Sequence, residues 1–221
     1  ARPVASRFGL LTTVGWKVGN ERVYALEGSS FIAGAAVQRL RDGLGIIQTA
    51  AEVEPLARQV ASADGVMFVP ALSGLGAPYW DSGARGLVTG ITRGTTKAHL
   101  ARATLEAIAH QVADLVTAMA DDLGGPVRRM RVDGGAAAND LLMEFQANVS
   151  NLVVERPAEL ESTARGAAML AGLGVGLFAT PAQTAGMSKA THTFQPKVEP
   201  GVREKWRAGW ADAVRRARSL P

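Results

Sequence analysis

The chain predicts an α/β fold in which helices flank a mixed sheet. Three observations carry this. After residue 60, short apolar runs alternate with helix-period stretches, which is how parallel strands joined by crossover helices read. Before that, GLLTTVGWKV and RVYALEG form two β-type segments around Gly19-Asn20, a tight-hairpin signal that makes the sheet mixed. Between Lys97 and Leu123, Leu100, Thr104, Ala107, Ile108, Leu115, Val116 and Met119 keep one apolar stripe at helical spacing. At 221 residues, with 47% hydrophobic and 20% charged side chains, the chain has enough apolar mass for a sizeable core.

In order, the hairpin over 9–28 comes first. Ser29 or Ser30 is a candidate cap for a helix running to about Gly43. A second, weaker helix is predicted over 50–61. GVMFVPAL reads as a buried strand ended by Pro70. A glycine- and aromatic-rich loop, Ser73 to Gly86, follows; fourteen residues without structure of their own suit a packed surface loop or a site. GLVTGI returns to strand, and the long helix over 97–123 comes next. A strand over 130–133 leads into Gly134-Gly135 and a helix over about 139–150. LVVE is a further strand, and Ser162 to Gly176 a helix rich in alanine and glycine. The last helix begins near Val202.

Charge needs explanation, because +4 with a pI near 9.8 invites a nucleic-acid partner. Between Arg203 and Arg218 stand six basic residues against two acidic ones, and that excess is the whole net charge. Trp206, Trp210, Ala213 and Val214 recur there at helical spacing, so the expectation is a terminal helix with its charges on the outer face and no nucleic-acid role. With no cysteine, disulfides are excluded, which suits a reducing cytoplasm. The three histidines, His99, His110 and His192, lack ligand spacing, and no metal site is expected. No apolar run reaches the roughly 18 residues of a membrane span.

Two segments are candidates for chemistry. In Arg131-Val-Asp-Gly-Gly-Ala-Ala-Ala-Asn139 a strand ends, two glycines turn the chain and a helix starts. Free N–H groups and a bare backbone at such a point favour a phosphate, and Asn139 has an amide to offer an adenosine. The same pattern is also what a plain strand-to-helix turn requires. In Phe31-Ile-Ala-Gly-Ala-Ala-Val-Gln38, Gly34 inside a helix calls for a reason, either a close ligand or a closely packed helix, and Gln38 follows one turn later.

Taken together, these segments resemble the FGGY family of carbohydrate kinases. The likeness rests on YALEGSSFIAGAAVQRLRD, SGLGAPYWDSGARG, GLVTGITRGTTKAHLARATLE and RVDGGAAANDLLMEFQ, in that order, and covers nearly all of the chain. It implies an actin/hexokinase-like fold built of ribonuclease-H-like domains, with residues 1–221 as the C-terminal, nucleotide-binding one. It also implies that Gly34 and Gly135 sit by the phosphates or ribose of ATP, with Gln38 and Asn139 beside the adenosine and Mg2+ on the phosphates. The Gly-Ala-Pro-Tyr-Trp loop resembles the branch acting on glycerol more than those acting on xylulose or gluconate. Glycerol would be held through an N-terminal domain. That domain's aspartate base and the Gly-Thr-Gly phosphate turn of the family are not in this sequence, so residues 1–221 alone are expected to be inactive. The complete enzyme is expected to be a cytoplasmic homo-oligomer. The alternatives are a domain of another carbohydrate kinase of the family, of xylulose or gluconate type, and a non-catalytic nucleotide- or partner-binding module. Two positions depart from the family pattern. Arg165 stands where leucine is usual, and Val202 replaces an acidic metal ligand used by some relatives to bind a regulatory partner.

Overall fold

The computed structural model describes residues 2–184, 187 and 189–219. Strands β1 (Leu11–Val18) and β2 (Glu21–Glu27) pair antiparallel across the Gly19-Asn20 turn. Gly19 takes φ +55°, the left-handed geometry such a turn demands. This hairpin stands as its own two-stranded sheet. The mixed sheet lies elsewhere: β5 (Arg129–Arg131) runs parallel to β6 (Val153–Pro157), and β7 (Ala190–Phe194) pairs antiparallel on the far side of β6. The sheet therefore owes its mixed character to β7, not to the hairpin. A third pair, β3 (Met67–Val69) and β4 (Leu87–Thr89), is antiparallel, where a parallel central section was expected.

Helix α3 (Lys97–Leu123) is the axis of the domain. Thr96 donates its backbone N–H to His99 Nδ1 at 3.1 Å to start it, and Gly124, at φ +68°, ends it. One face carries Ala101, Leu105, Ile108, Ala109 and Ala113, all buried. The alanines let helix α4 (Asp140–Ser150) approach closely, and Leu142, Phe145 and Val149 fill the space between. Each buried Leu, Ile or Phe there contributes about 1.5–3 kcal/mol, and Ala109→Leu would overpack the contact.

The expected helix after Ser30 starts later: α1 spans Gly34–Gln38 and continues as a wider π-type turn over Arg39–Gly43. The serines are used otherwise. Ser30 Oγ donates to Gln111 Oε1 of α3 at 2.7 Å, and the Ser29 carbonyl accepts the Ala77 N–H at 3.0 Å. The helix expected over 50–61 is a 3-10 turn, Ala50–Glu52, then a short α2, Val53–Ala57. Helices α5 (Ser162–Gly174) and α6 (Pro181–Thr184) precede β7, and α7 (Pro200–Ala217) closes the chain. On α5, where Arg165 bonds Ser162 Oγ and the Glu159 carbonyl, Gly172 alone is buried.

Helix α7 buries Trp210, Ala213 and Val214 against β3 and the loop before β4, while Trp206 is only half-buried on Phe145. One basic residue leaves the expected outer face: Arg207 turns inward to pair with Asp114 of α3. Asp114 also accepts Trp210 Nε1 at 2.7 Å and the Tyr79 hydroxyl at 2.8 Å, so one buried carboxylate ties α3, α7 and the long loop together. Burial, then the Asp114 charge, pushes the Tyr79 phenol well up. Beside it, His110 stacks on Trp210 with ring centroids 5.1 Å apart. Burial, and secondarily Arg207, holds its imidazole down to about 3, so it is neutral in the fold.

Candidate functional site

The four residues singled out above come together. Gly34, Gln38, Gly135 and Asn139 line one cleft of about 550 Å³ between α1 and the Gly135–Ala138 turn. Val37, Val53, Leu105, Ile108 and Leu142 give it apolar walls. Helices α1 and α4 both pack on α3, whose Leu105 and Ile108 line the cleft together with Ala50, Ala51 and Val53.

The two lining glycines can now be read. An added Cβ at Gly34 or at Gly135 would meet no protein atom within 4 Å. Close helix packing is therefore not why residue 34 lacks a side chain. Backbone strain is not why residue 135 lacks one either, since the left-handed φ of +79° belongs to its neighbour Gly134. Both glycines keep open space open, which is what a ligand lying against the backbone needs. The N–H groups of Gly135 and Ala136 open their turn and have no partner among the described residues.

One expectation needs correcting: the donors that open α4 are not free for an anion. Asp140 and Leu141 donate their N–H groups to Glu54 Oε2 and Oε1 at 3.1 and 3.3 Å. Leu142 donates to Asn139 Oδ1 at 2.8 Å, and Met143 to the Asn139 carbonyl at 3.1 Å. Asn139 is thus the N-cap of α4. An N–H can only be met by an acceptor, so the cap bond fixes the Asn139 oxygen inward and leaves Nδ2 as a pure donor. Gln38 is exposed on α1, one helical turn after Gly34. Arg41, also on the cleft, is held in a two-pronged pair by Asp42 at 2.7 and 3.0 Å, and that guanidinium keeps the Asp42 carboxyl below its usual range. The pair is exposed, and such pairs contribute little to stability.

Sequence reasoning missed Glu54 and Arg41. Glu54 is four residues before Arg58, and that spacing predicts their 2.7 Å ion pair; nothing local points to its partners 86 and 87 residues on. Conversely, the long loop over 73–86 does not line the cleft. Its Asp81 is buried and accepts from Ser219 Oγ at 2.5 Å and Ala84 N–H at 2.9 Å; these bonds hold its carboxyl low. Trp80 Nε1 reaches the Gly9 carbonyl at 2.6 Å. The loop fastens the N-terminal segment and α7 to α3. Among the described residues no three His, Asp or Glu side chains converge on one point, and no helix is long and apolar enough to cross a membrane.

The chain is 55% identical over 210 residues to a glycerol kinase of Acinetobacter baylyi, covering 95% of this chain and 42% of that protein. Against a glycerol kinase of Aromatoleum aromaticum it is 56% identical, covering 99% and 44%. Among solved structures, the glycerol kinase of Plasmodium falciparum with ADP superposes with a TM-score of 0.89 at 34% identity, over 99% of this chain and 44% of that one. A xylulose kinase of Lactobacillus acidophilus shares the fold, with a TM-score of 0.77 at 22% identity over 94% of this chain and 41% of that one. The chain spans less than half the length of the relatives it matches. Residues 1–175 match the FGGY family of carbohydrate kinases, C-terminal domain, and the chain belongs to that family.

Proposed function

We propose that this chain is the nucleotide-holding half of an ATP-dependent glycerol kinase. The observation that carries the reading is the single cleft formed by Gly34, Gln38, Gly135 and Asn139, with both glycines bare of internal contacts. Its apolar walls suit the faces of a purine, and its volume suits a nucleoside with part of its phosphates. Relatives named as glycerol kinases, one solved with ADP, support the choice of nucleotide and acceptor.

In this reading Val37, Ile108 and Leu142 hold the base, Asn139 Nδ2 donates to the adenosine, and Gln38 completes its polar contacts. Gly34 and Gly135 let ribose and phosphate lie against the backbone. The reaction joins a terminal glycerol oxygen to the γ-phosphorus and breaks its bond to the β–γ bridging oxygen, releasing ADP. A carboxylate base outside residues 1–221 takes the hydroxyl proton. Mg2+ would arrive on the phosphates, as it commonly does with few protein ligands. We place the enzyme in the cytoplasm, as a homo-oligomer.

The test is glycerol-dependent ADP release from Mg-ATP by the complete gene product, with xylulose and gluconate run in parallel. Turnover with glycerol at about 1 s⁻¹ or above is expected, and residues 1–221 alone should show none. Preference for xylulose or gluconate would move the protein to another branch of the family. No kinase activity with any of the three, from folded protein, would reject the reading.

A further inference from the structure

The carboxylate of Glu54, on the cleft, bridges α2 and the start of α4. It rises from α2, is 23% exposed, and accepts the first two N–H groups of α4. Arg58, the C-cap of α2, holds it from behind at 2.7 Å. Asn139 takes the next N–H of α4. Glu54 and Asn139 therefore share one cap, and the segment between Gly134 and Asp140 is pinned from the α2 side by a residue distant in sequence.

We infer that Glu54 is a positioning residue for nucleotide, acting through Asn139; the inference rests on the nucleotide reading of the cleft. Two physical effects follow from its place. A negative side chain at a helix N-terminus meets the positive end of the helix dipole and satisfies donors that otherwise swing toward water. The α4 start is thereby held at one distance from α2, and Asn139 Nδ2 points at one place in the cleft. A bystander carboxylate has the opposite signature, since removing a negative charge near a polyanionic ligand should tighten binding.

The experiment is calorimetric titration of ADP into the complete gene product, wild type against Glu54→Ala, Glu54→Gln, Gln38→Ala, Asn139→Ala and the double variant Glu54→Ala/Asn139→Ala. Circular dichroism first establishes which variants keep the fold. Glu54→Ala should weaken ADP about five- to tenfold, within what one or two lost hydrogen bonds cost. Glu54→Gln, which keeps one acceptor oxygen, should recover part of that and serves alone if Glu54→Ala does not fold. Because both residues act through one cap, the double variant should bind within about twofold of Asn139→Ala, whereas independent effects would multiply. Affinity in Glu54→Ala and Glu54→Gln equal to or tighter than wild type, with Asn139→Ala still weakened, overturns this inference and leaves the nucleotide reading standing. Multiplying effects in the double variant overturn it as well. Unchanged ADP affinity in both Asn139→Ala and Gln38→Ala overturns the nucleotide reading, and this inference with it.

Discussion

On the proposed nucleotide reading Asn139 does two things with one amide, and substitution can separate them. Its Oδ1 accepts the Leu142 N–H at 2.8 Å as the cap of α4, while Nδ2 is left for the ligand. Asn139→Ala removes both. Loss of a cap costs about 0.5–2 kcal/mol, and in a domain of this size about 1 kcal/mol lowers the melting temperature by roughly 2–4 °C. Asn139→Ser retains a good capping oxygen, so its stability should stay near wild type. Neither variant has the Nδ2 amide; the Ser hydroxyl that remains can donate, but from a shorter side chain. Each should therefore lose one neutral hydrogen bond to nucleotide, about 0.5–1.5 kcal/mol, or up to roughly tenfold in affinity. The assay pairs scanning calorimetry without ligand and ADP titration on the same samples. Equal ADP loss in Ser and Ala variants, with a lower melting temperature in Ala alone, is the expected result. Wild-type ADP affinity in Asn139→Ser would refute the donor role. A Ser variant as unstable as Ala would refute the capping argument.

Gly135→Ala should leave stability within about 0.5 kcal/mol of wild type, because its methyl meets no protein atom; ADP titration should nonetheless show weakened binding, and unchanged affinity would remove Gly135 from the site. Asp114→Ala strips a buried carboxylate from Arg207, Trp210 and Tyr79 and should cost about 3–5 kcal/mol in urea denaturation. His110, neutral in the fold down to about pH 3, should make stability fall with acid. Above about pH 6.5 neither state is protonated there; below it only the unfolded chain gains the proton, so stability drops by about 1.4 kcal/mol per pH unit until about pH 3. Between pH 7 and 5 wild type should lose about 2 kcal/mol more than His110→Gln, and equal losses would contradict the assignment.

The α3 helix and the β1–β2 hairpin were legible because each is specified by neighbours in sequence: a sustained apolar period in one, a Gly-Asn turn in the other. Strand β7 was not. All but Phe194 of its residues are exposed, so it has no inward-outward alternation, and it exists only through its ladder to β6. The start of α1 was misplaced because Ser30 looks like a cap locally but is claimed by Gln111, 81 residues away. The four cleft residues were legible as two suspicious glycines, each followed by an amide, yet each allowed a plain packing reading. An added Cβ at Gly34 or Gly135 meets no neighbouring atom, which speaks against the packing reading at both positions. Glu54 and the inward turn of Arg207 depend wholly on long-range partners.

On the proposed reading, the bare glycines also make the domain a recorder of its own use. Gly134 and Gly90 are demanded by the fold, one by its left-handed φ and the other because a Cβ would fall 2.0 Å from the Gly65 carbonyl. Gly34 and Gly135 are under no such demand. If the proposed nucleotide reading holds, a lineage that kept the domain but abandoned the ligand would be free to exchange the second pair while holding the first. Drift confined to residues 34 and 135 in a duplicated gene would mark the loss of the ligand before any loss of the fold.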